Sequence, residues 1–517
     1  MKKIIFILGI ALTACNTSQK TIVAENSGAE VIAVDPAEYA SSISESELKE
    51  HLYTYASDEY EGRETGQPGQ KKAIAYLKSQ YELLDIPAAK VDGNYFQTVP
   101  LEIAKTPSGT ATINGNTYVL GDDFVSFNSL TANFNEIIYA AYGIEDDNYS
   151  DFKDIDVTGK LVLIKDGEPM NTDGTYIITG TIEPSKWSKD NMDRFQVLAD
   201  KGAAAVLMYS PNLYPRVLSY FNRTKNSKSG RMELKNNNKA IFNAVLNEEL
   251  VNVILPKIKD DNTPKSLSIE MDFNISGSST EIESENVVAI IKGSEKPDEY
   301  LVISSHLDHI GILENGEINN GADDDGSGTV ALLEIAEAFK IAKDAGNGPK
   351  RSIVFLHVTG EEKGLLGSQY YTDIEPIFPL NKTVANLNID MIGRIDPKRE
   401  GDRNYIYLIG SDKLSIELHT LSETINSKYA NLELDYTYND ENDPNRFYYR
   451  SDHYNFAKNN IPIIFYFNGT HADYHRPTDT PDKINYDLLQ NRSRLIFHTA
   501  WEVANRNEKI KVDKALN

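Results

Sequence analysis

An α/β fold, with a mixed, mainly parallel β-sheet flanked by helices and a β-rich insertion, is what this sequence predicts, on three observations. Apolar runs of strand length at 301–304, 353–358 and 384–387 are interleaved with helical spacing such as Leu332, Ile335, Ala336 and Phe339. Over 109–275 the texture changes to short alternating runs, glycines and polar loops. The three apolar runs are followed at once by His306-Leu307-Asp308, by Glu361-Glu362 and by Asp390. Ligands bind outside the carboxyl ends of strands in open α/β sheets, so these polar groups are expected to meet in one crevice.

Taken in order, the chain begins with Lys2-Lys3 and the apolar run 4–12, a secretory-signal pattern too short to span a bilayer. The run ends in Leu12-Thr13-Ala14-Cys15, which resembles a bacterial lipobox. Cys15 is the one cysteine of the chain, so no intrachain disulfide can form and lipidation is its expected role. Residues 1–15 are read as a lipoprotein signal and 16–39 as a tether. The expected location is the bacterial cell envelope, with the lipid as the only membrane contact. Asn16 after the cysteine favours the outer membrane, and the leaflet stays open. The 517 residues, 40% of them hydrophobic, suit two or more domains with a substantial core. A formal charge of -25 argues against nucleic acid or an anionic membrane surface as a partner.

Segment 40–108 reads as the first part of the main domain. Helices are expected over 44–84, broken by the turn Gly62-Arg63-Glu64-Thr65-Gly66-Gln67-Pro68-Gly69, whose glycines and proline make a loop. Segment 109–275 is the insertion, and 222–238, basic and poor in apolar residues, is expected to be a mobile loop. The main domain resumes over 284–510. It has expected strands at 286–291, 405–409 and 461–467, a helix at 413–427 and a polar, aromatic loop at 441–450.

The residue types after the strand-like runs are those that hold divalent cations, since zinc accepts both carboxylate oxygen and imidazole nitrogen. Two such ions a few Å apart repel unless a carboxylate bridges them, and the acidic turn 321–328 can supply one. Ser304-Ser305-His306-Leu307-Asp308, Gly321-Ala322-Asp323-Asp324-Asp325-Gly326-Ser327-Gly328, the 359–368 run with Thr359-Gly360-Glu361-Glu362, and Asn388-Ile389-Asp390-Met391 together resemble the M28 family of co-catalytic zinc aminopeptidases. A fifth piece, Asp473-Tyr474-His475-Arg476-Pro477, resembles that family's last ligand motif. Motifs at 137–143, 157–164 and 201–207 resemble a PA (protease-associated) domain, and the Glu-Gly-Arg segment at 61–63 resembles the family's amino-terminal part.

The resemblance implies the zinc-dependent exopeptidase fold and two Zn²⁺ per chain. His306 and Asp390 would hold one ion, Glu362 and His475 the other, with Asp324 bridging. Glu361 would be the general base, Asp308 a carboxylate orienting His306, and Tyr474 an oxyanion donor. A cis peptide is expected between Asp324 and Asp325. Arg450, beside Ser451-Asp452-His453, is a candidate substrate contact, with Asp452 and His453 as pocket wall or hydrogen-bond support. Three carboxylates and two neutral imidazoles leave two Zn²⁺ with roughly one unit of positive charge, which a hydroxide nucleophile neutralises. Substrates are expected to be peptides with a free N-terminus. A carboxypeptidase or glutaminyl cyclase on the same fold, or a non-catalytic ectodomain, are the alternatives.

Other residues have plainer expected roles. His357 should be a satisfied core residue, His309 and His471 neighbours of the ligand loops, and Asp323 and Asp325 supports of the acidic turn. Arg63 is expected to be structural. Ser327 lies between glycines at a helix start and suits a cap better than a nucleophile. No Gly-x-Ser-x-Gly elbow accompanies it.

Overall fold

The computed structural model describes residues 34–188, 191–226, 230–235, 241–399 and 401–514; the signal-like run and Cys15 lie outside them. Its largest sheet has nine strands, in the order Arg231–Leu234, Phe96–Ala104, Ser279–Ile291, Arg351–Val358, Lys296–His306, Thr383–Ile389, Ile463–Phe467, Tyr405–Ile409 and Glu433–Asp435. From Arg351–Val358 to Ile463–Phe467 the neighbours are parallel. Pairing toward Ser279–Ile291, Phe96–Ala104 and Arg231–Leu234 is antiparallel, as is that between Ile463–Phe467 and Tyr405–Ile409. Every residue of Arg351–Val358 is buried, which explains its continuous apolar run, since helices cover both faces of a parallel centre.

Register decides where the strands end. His306 lies opposite Val358, and Ser304 opposite Asn388, so the three central strands stop at the same edge of the sheet. Buried polar side chains fix that alignment: Ser304 Oγ donates to Asn388 Oδ1 at 2.6 Å and accepts from Asn386 Nδ2 at 2.8 Å. On one face helices Glu45–Tyr55, Gly328–Asp344 and Tyr486–Asn505 share the apolar core with the sheet. There the Phe339 ring lies 4.7 Å from that of Phe497.

The insertion builds two further sheets. A six-stranded one runs Lys265–Leu267, Ile137–Tyr139, Leu161–Lys165, Ala205–Tyr209, Phe242–Leu246, Phe124–Val125; a four-stranded one runs Asn116–Val119, Ser108–Ile113, Met271–Ser276, Leu130–Phe134. The segment expected to be a mobile loop at 222–238 is more ordered than that among its described residues. Helix Tyr214–Lys225 reaches into it, and Arg231–Leu234 forms the edge strand against Phe96–Ala104. Met232 and Leu234 pack beside Val99 and Leu101, while Arg231 pairs with Glu233 at 2.5 Å. Four alternating residues within a basic stretch are too short a signal to be read without the partner strand. Helix Ala37–Ala40 likewise begins inside the expected tether. No described helix is long and apolar enough to cross a membrane.

One buried charge in this core carries a stability prediction. Glu334, in helix Gly328–Asp344, is 1% exposed; its Oε2 accepts the Ser44 N–H at 3.3 Å, and its Oε1 lies 3.6 Å from His51 Nε2. Burial, reinforced by the charge of Glu47, pushes its carboxyl up to about 8. The folded state therefore keeps a proton that the unfolded chain releases near its ordinary value, so stability falls as pH rises from about 4.5 to about 8. Glu334→Gln removes that loss. Urea unfolding should show the variant roughly 2–4 kcal/mol more stable than the parent at pH 9, with little difference at pH 5.

Candidate metal centre

The shared edge of the central strands assembles the polar groups. His306 is the last residue of Lys296–His306, Asp390 follows Thr383–Ile389, and Glu361 and Glu362 follow Arg351–Val358 across the bend at Thr359-Gly360. The turn Ala322–Ser327 brings Asp324 among them, and the loop after Ile463–Phe467 brings His475. Asp324 Oδ1 lies 3.1 Å from His306 Nε2, and its Oδ2 lies 3.0 Å from His475 Nε2. Asp390 Oδ1 is 3.7 Å from His306 Nε2, and Glu362 Oε2 is 3.2 Å from His475 Nε2. The Asp324 carboxylate thus stands between two imidazoles, each with a further carboxylate of its own.

These residues fit a pair of divalent cations. The ligand atoms of His306, Asp324 and Asp390 lie within 4.8 Å of one another, as do those of His309, Asp324 and Glu362. Asp324 Oδ2, Glu362 Oε1 and both ring nitrogens of His309 are buried and crowd together without well-aligned hydrogen bonds, an arrangement that a shared cation would relieve. Burial opposes a proton on His306, but Glu361, Asp324 and Asp390 outweigh it and hold its proton affinity well above the usual imidazole range. His475 is pushed up to about 10 in the same way, against burial, by Asp324 and Glu362. The cluster thus carries surplus negative potential where a cation would sit.

Around it, the Asp324-Asp325 peptide is cis. Asp325 Oδ1 accepts the N–H groups of Gly328 at 2.9 Å and Met391 at 3.0 Å, and Asp323 Oδ1 accepts that of Gly393 at 2.7 Å. Asp325 therefore caps helix Gly328–Asp344, the role expected of Ser327. The Ser327 hydroxyl instead donates to the Asp323 carbonyl at 2.8 Å and accepts the Ile392 N–H at 3.0 Å, because the turn folds its side chain inward.

Asp308 also differs from its expected part. His306 Nδ1 meets the Asp308 backbone carbonyl at 3.0 Å, whereas the nearer carboxylate oxygen is 3.9 Å away. That carboxylate is engaged elsewhere: Oδ1 accepts the Glu361 N–H at 3.1 Å and Oδ2 accepts from Thr65 Oγ1 at 2.7 Å. A ring N–H given to the carbonyl leaves Nε2 as the free donor nitrogen facing the centre.

Glu361 faces a cavity of about 30 Å³ that is also lined by Asp324, Asp390, Met391, Phe447, Phe465, Phe467 and Tyr474. Burial, with the charges of Glu362, Asp390 and Asp452, pushes the Glu361 carboxyl well above the carboxylate range despite the opposing charge of His306. Arg450, exposed at the rim, lies over the Phe447 ring at 5.0 Å and donates to the Tyr474 hydroxyl at 3.4 Å. The Tyr474 ring stacks on His475 at 3.8 Å. Asp452 and His453 are buried behind this wall: Asp452 Oδ1 accepts from Ser368 Oγ at 2.5 Å, and His453 stacks on Phe465 at 4.6 Å. His357 lies deeper, between Tyr81 OH at 2.7 Å and Ser305 Oγ at 3.1 Å.

Sequence reasoning gave two neighbours too small a part. His309 Nδ1 approaches Glu362 Oε1 at 2.8 Å and Asp324 Oδ2 at 3.8 Å, so these three could share a cation. Its spacing of three from His306 at a strand end was the available signal. Asp479 Oδ2 accepts the N–H groups of both Asp323 at 2.9 Å and Asp324 at 3.2 Å, a contact that no local pattern announces.

The sequence is similar to that of known proteins. Residues 286–500 match the profile of peptidase family M28. Leupeptin-inactivating enzyme 1 of Streptomyces exfoliatus is 33% identical over 238 residues, 42% of this chain and 48% of that protein. Aminopeptidase YwaD of Bacillus subtilis (strain 168) is 24% identical over 310 residues, 57% of this chain and 63% of that one. The chain spans less than two thirds of the length of either relative. Among solved structures, an aminopeptidase from Aneurinibacillus sp. strain AM-1 aligns over 93% of this chain and 98% of its own, with a TM-score of 0.47 and 18% identity. Residues 286–500, which supply every carboxylate and imidazole of the cluster, form a peptidase family M28 domain.

Proposed function

We propose that the protein is a zinc-dependent aminopeptidase that removes N-terminal residues from peptides. The observation that carries this reading is the Asp324 carboxylate set between His306 and His475, with Glu361 beside them over a partly apolar cavity. Two Zn²⁺, one on His306 and Asp390 and the other on Glu362 and His475 with Asp324 shared, would supply Lewis-acid polarisation of the scissile carbonyl and acidify the attacking water. Glu361, whose carboxyl burial and the neighbouring carboxylates push well above the usual carboxylate range, would take a proton from the attacking water and return it to the departing amine. The Tyr474 hydroxyl, directed by Arg450, donates to the developing oxyanion. Met391, Phe447, Phe465 and Phe467 exclude water beside the first side chain of the peptide, and the carboxylates of Asp324, Glu361 and Asp390 accept its free amine.

The 109–275 segment is proposed to be a PA-like domain that restricts which peptides reach the cleft. Cys15 is proposed to anchor the protein by lipid in a bacterial envelope. The function is tested with the purified soluble part on paired free and N-blocked peptide substrates, before and after chelation and zinc return. Release of residues only from unblocked substrates, lost with the chelator and restored by zinc, is expected. Cleavage of blocked peptides at their C-terminus would instead favour a carboxypeptidase.

A further inference from the structure

The segment 61–65, some 240 residues before the metal-centre loops and outside the matched family region, touches three of those loops at once. Glu61, Gly62 and Arg63 all have left-handed backbone, at φ 52°, 65° and 53°, and two of these residues carry side chains that make such a conformation costly. Only glycine fits between them, since a Cβ on Gly62 would meet the Asn319 carbonyl oxygen at 2.3 Å. The strained run turns the Arg63 and Thr65 side chains inward. Arg63, 1% exposed, donates to the carbonyls of Asn320 at 2.7 Å and Gly321 at 2.9 Å, the two residues before the turn that bears Asp324. The carbonyl of Arg63 accepts the His309 N–H at 3.3 Å. Thr65, fully buried, donates to Asp308 Oδ2 at 2.7 Å, and Glu64 pairs with Lys363 Nζ at 2.9 Å, next to Glu362.

Thr65 has the decisive place. Asp308 joins two parts of the centre, because its carbonyl sets the His306 ring and its Oδ1 holds the backbone N–H of Glu361. The other carboxylate oxygen is buried, and Thr65 gives it its hydrogen bond. Without that donor the buried carboxylate loses one of its anchors; its hold on the Glu361 N–H loosens directly, and the His306 ring loosens through the shift of the same residue's backbone carbonyl.

We propose that Arg63 and Thr65 are positioning residues of the metal centre, reaching it from outside residues 286–500, with Thr65 acting through Asp308 on His306 and Glu361. This inference rests on the metal-centre reading above. Its test compares Thr65→Val, which keeps the shape and removes the donor, with Thr65→Ser, which keeps the donor. The readouts are the chelator concentration that strips half the zinc from the holoprotein, kcat and KM for a free-amine peptide, and the melting temperature. The valine variant is expected to lose zinc at about 10- to 100-fold lower chelator and to fall in kcat rather than to rise in KM, and serine is expected to rescue both. A folded valine variant that holds zinc as the parent does, with unchanged kcat, overturns the proposal, as does a lowered melting temperature with no change in zinc retention. If the valine protein does not fold, Thr65→Ala removes the same donor without placing a methyl against Asp308 and is read in its place. A parent protein that binds no zinc marks failure of the metal-centre reading itself, a result distinct from parent and variant both binding it alike.

Discussion

Glu361→Gln lowers turnover about 10³- to 10⁴-fold while leaving the zinc content of the protein unchanged. The amide matches the carboxylate in shape but cannot take a proton, and Glu361 is absent from both groups of residues close enough to share a cation. Metal analysis and steady-state kinetics on the same preparation read the two effects separately. KM should move only a few-fold, because the amide oxygen still accepts from the substrate amine and the other cavity walls, at Phe447, Phe465 and Tyr474, are untouched. Near-parental turnover with a full zinc complement would show that another group moves the proton.

Asp324→Asn has the other large expected effect, on both of the proposed cation positions at once. Asp324 belongs to both groups, and its two oxygens face different imidazoles, His306 at 3.1 Å and His475 at 3.0 Å. Asparagine keeps one acceptor and turns an NH₂ toward the other side, and it removes a negative charge from a place where two cations need one. Zinc affinity should fall more than 100-fold, beyond the roughly 10- to 100-fold range of losses from supporting residues. Added zinc should then raise the melting temperature of the parent but not of the variant, since only binding to the folded state stabilises it. His475→Ala provides the contrast: it should weaken one ion and leave the other, giving about half the metal content. Equal loss of both ions in His475→Ala would mean that the two positions do not fill independently.

Much of the site was legible because its residues are tied to strand ends. An apolar run closed by His306, another followed by Glu361 and Glu362, and a third closed by Asp390 need only a parallel sheet to converge; the acidic turn offers three aspartates, and the resemblance to the M28 motif is what selects Asp324 among them. What misled was local plausibility. Ser327 has the composition of a cap, yet Asp325 takes that role because the chain enters helix Gly328–Asp344 through a sharp turn rather than an extended residue. Asp308 stands two residues from His306, yet it meets the ring through its carbonyl because Thr65 and the Glu361 N–H hold its carboxylate.

The sequence by itself determined the alternation of buried strands and helices, the identity of the residues at the strand ends, and through them a centre suited to divalent cations. These are short-range properties, written in side-chain periodicity and donor chemistry. The tertiary structure alone decided which strand lies beside which, that Arg231–Leu234 closes one edge of the sheet, that His309 faces Glu362, and that Thr65 reaches Asp308. Each of these depends on contacts between segments far apart in the chain. Hydrogen bonding and burial select such contacts only once the whole core has formed, so no window of neighbouring residues records them.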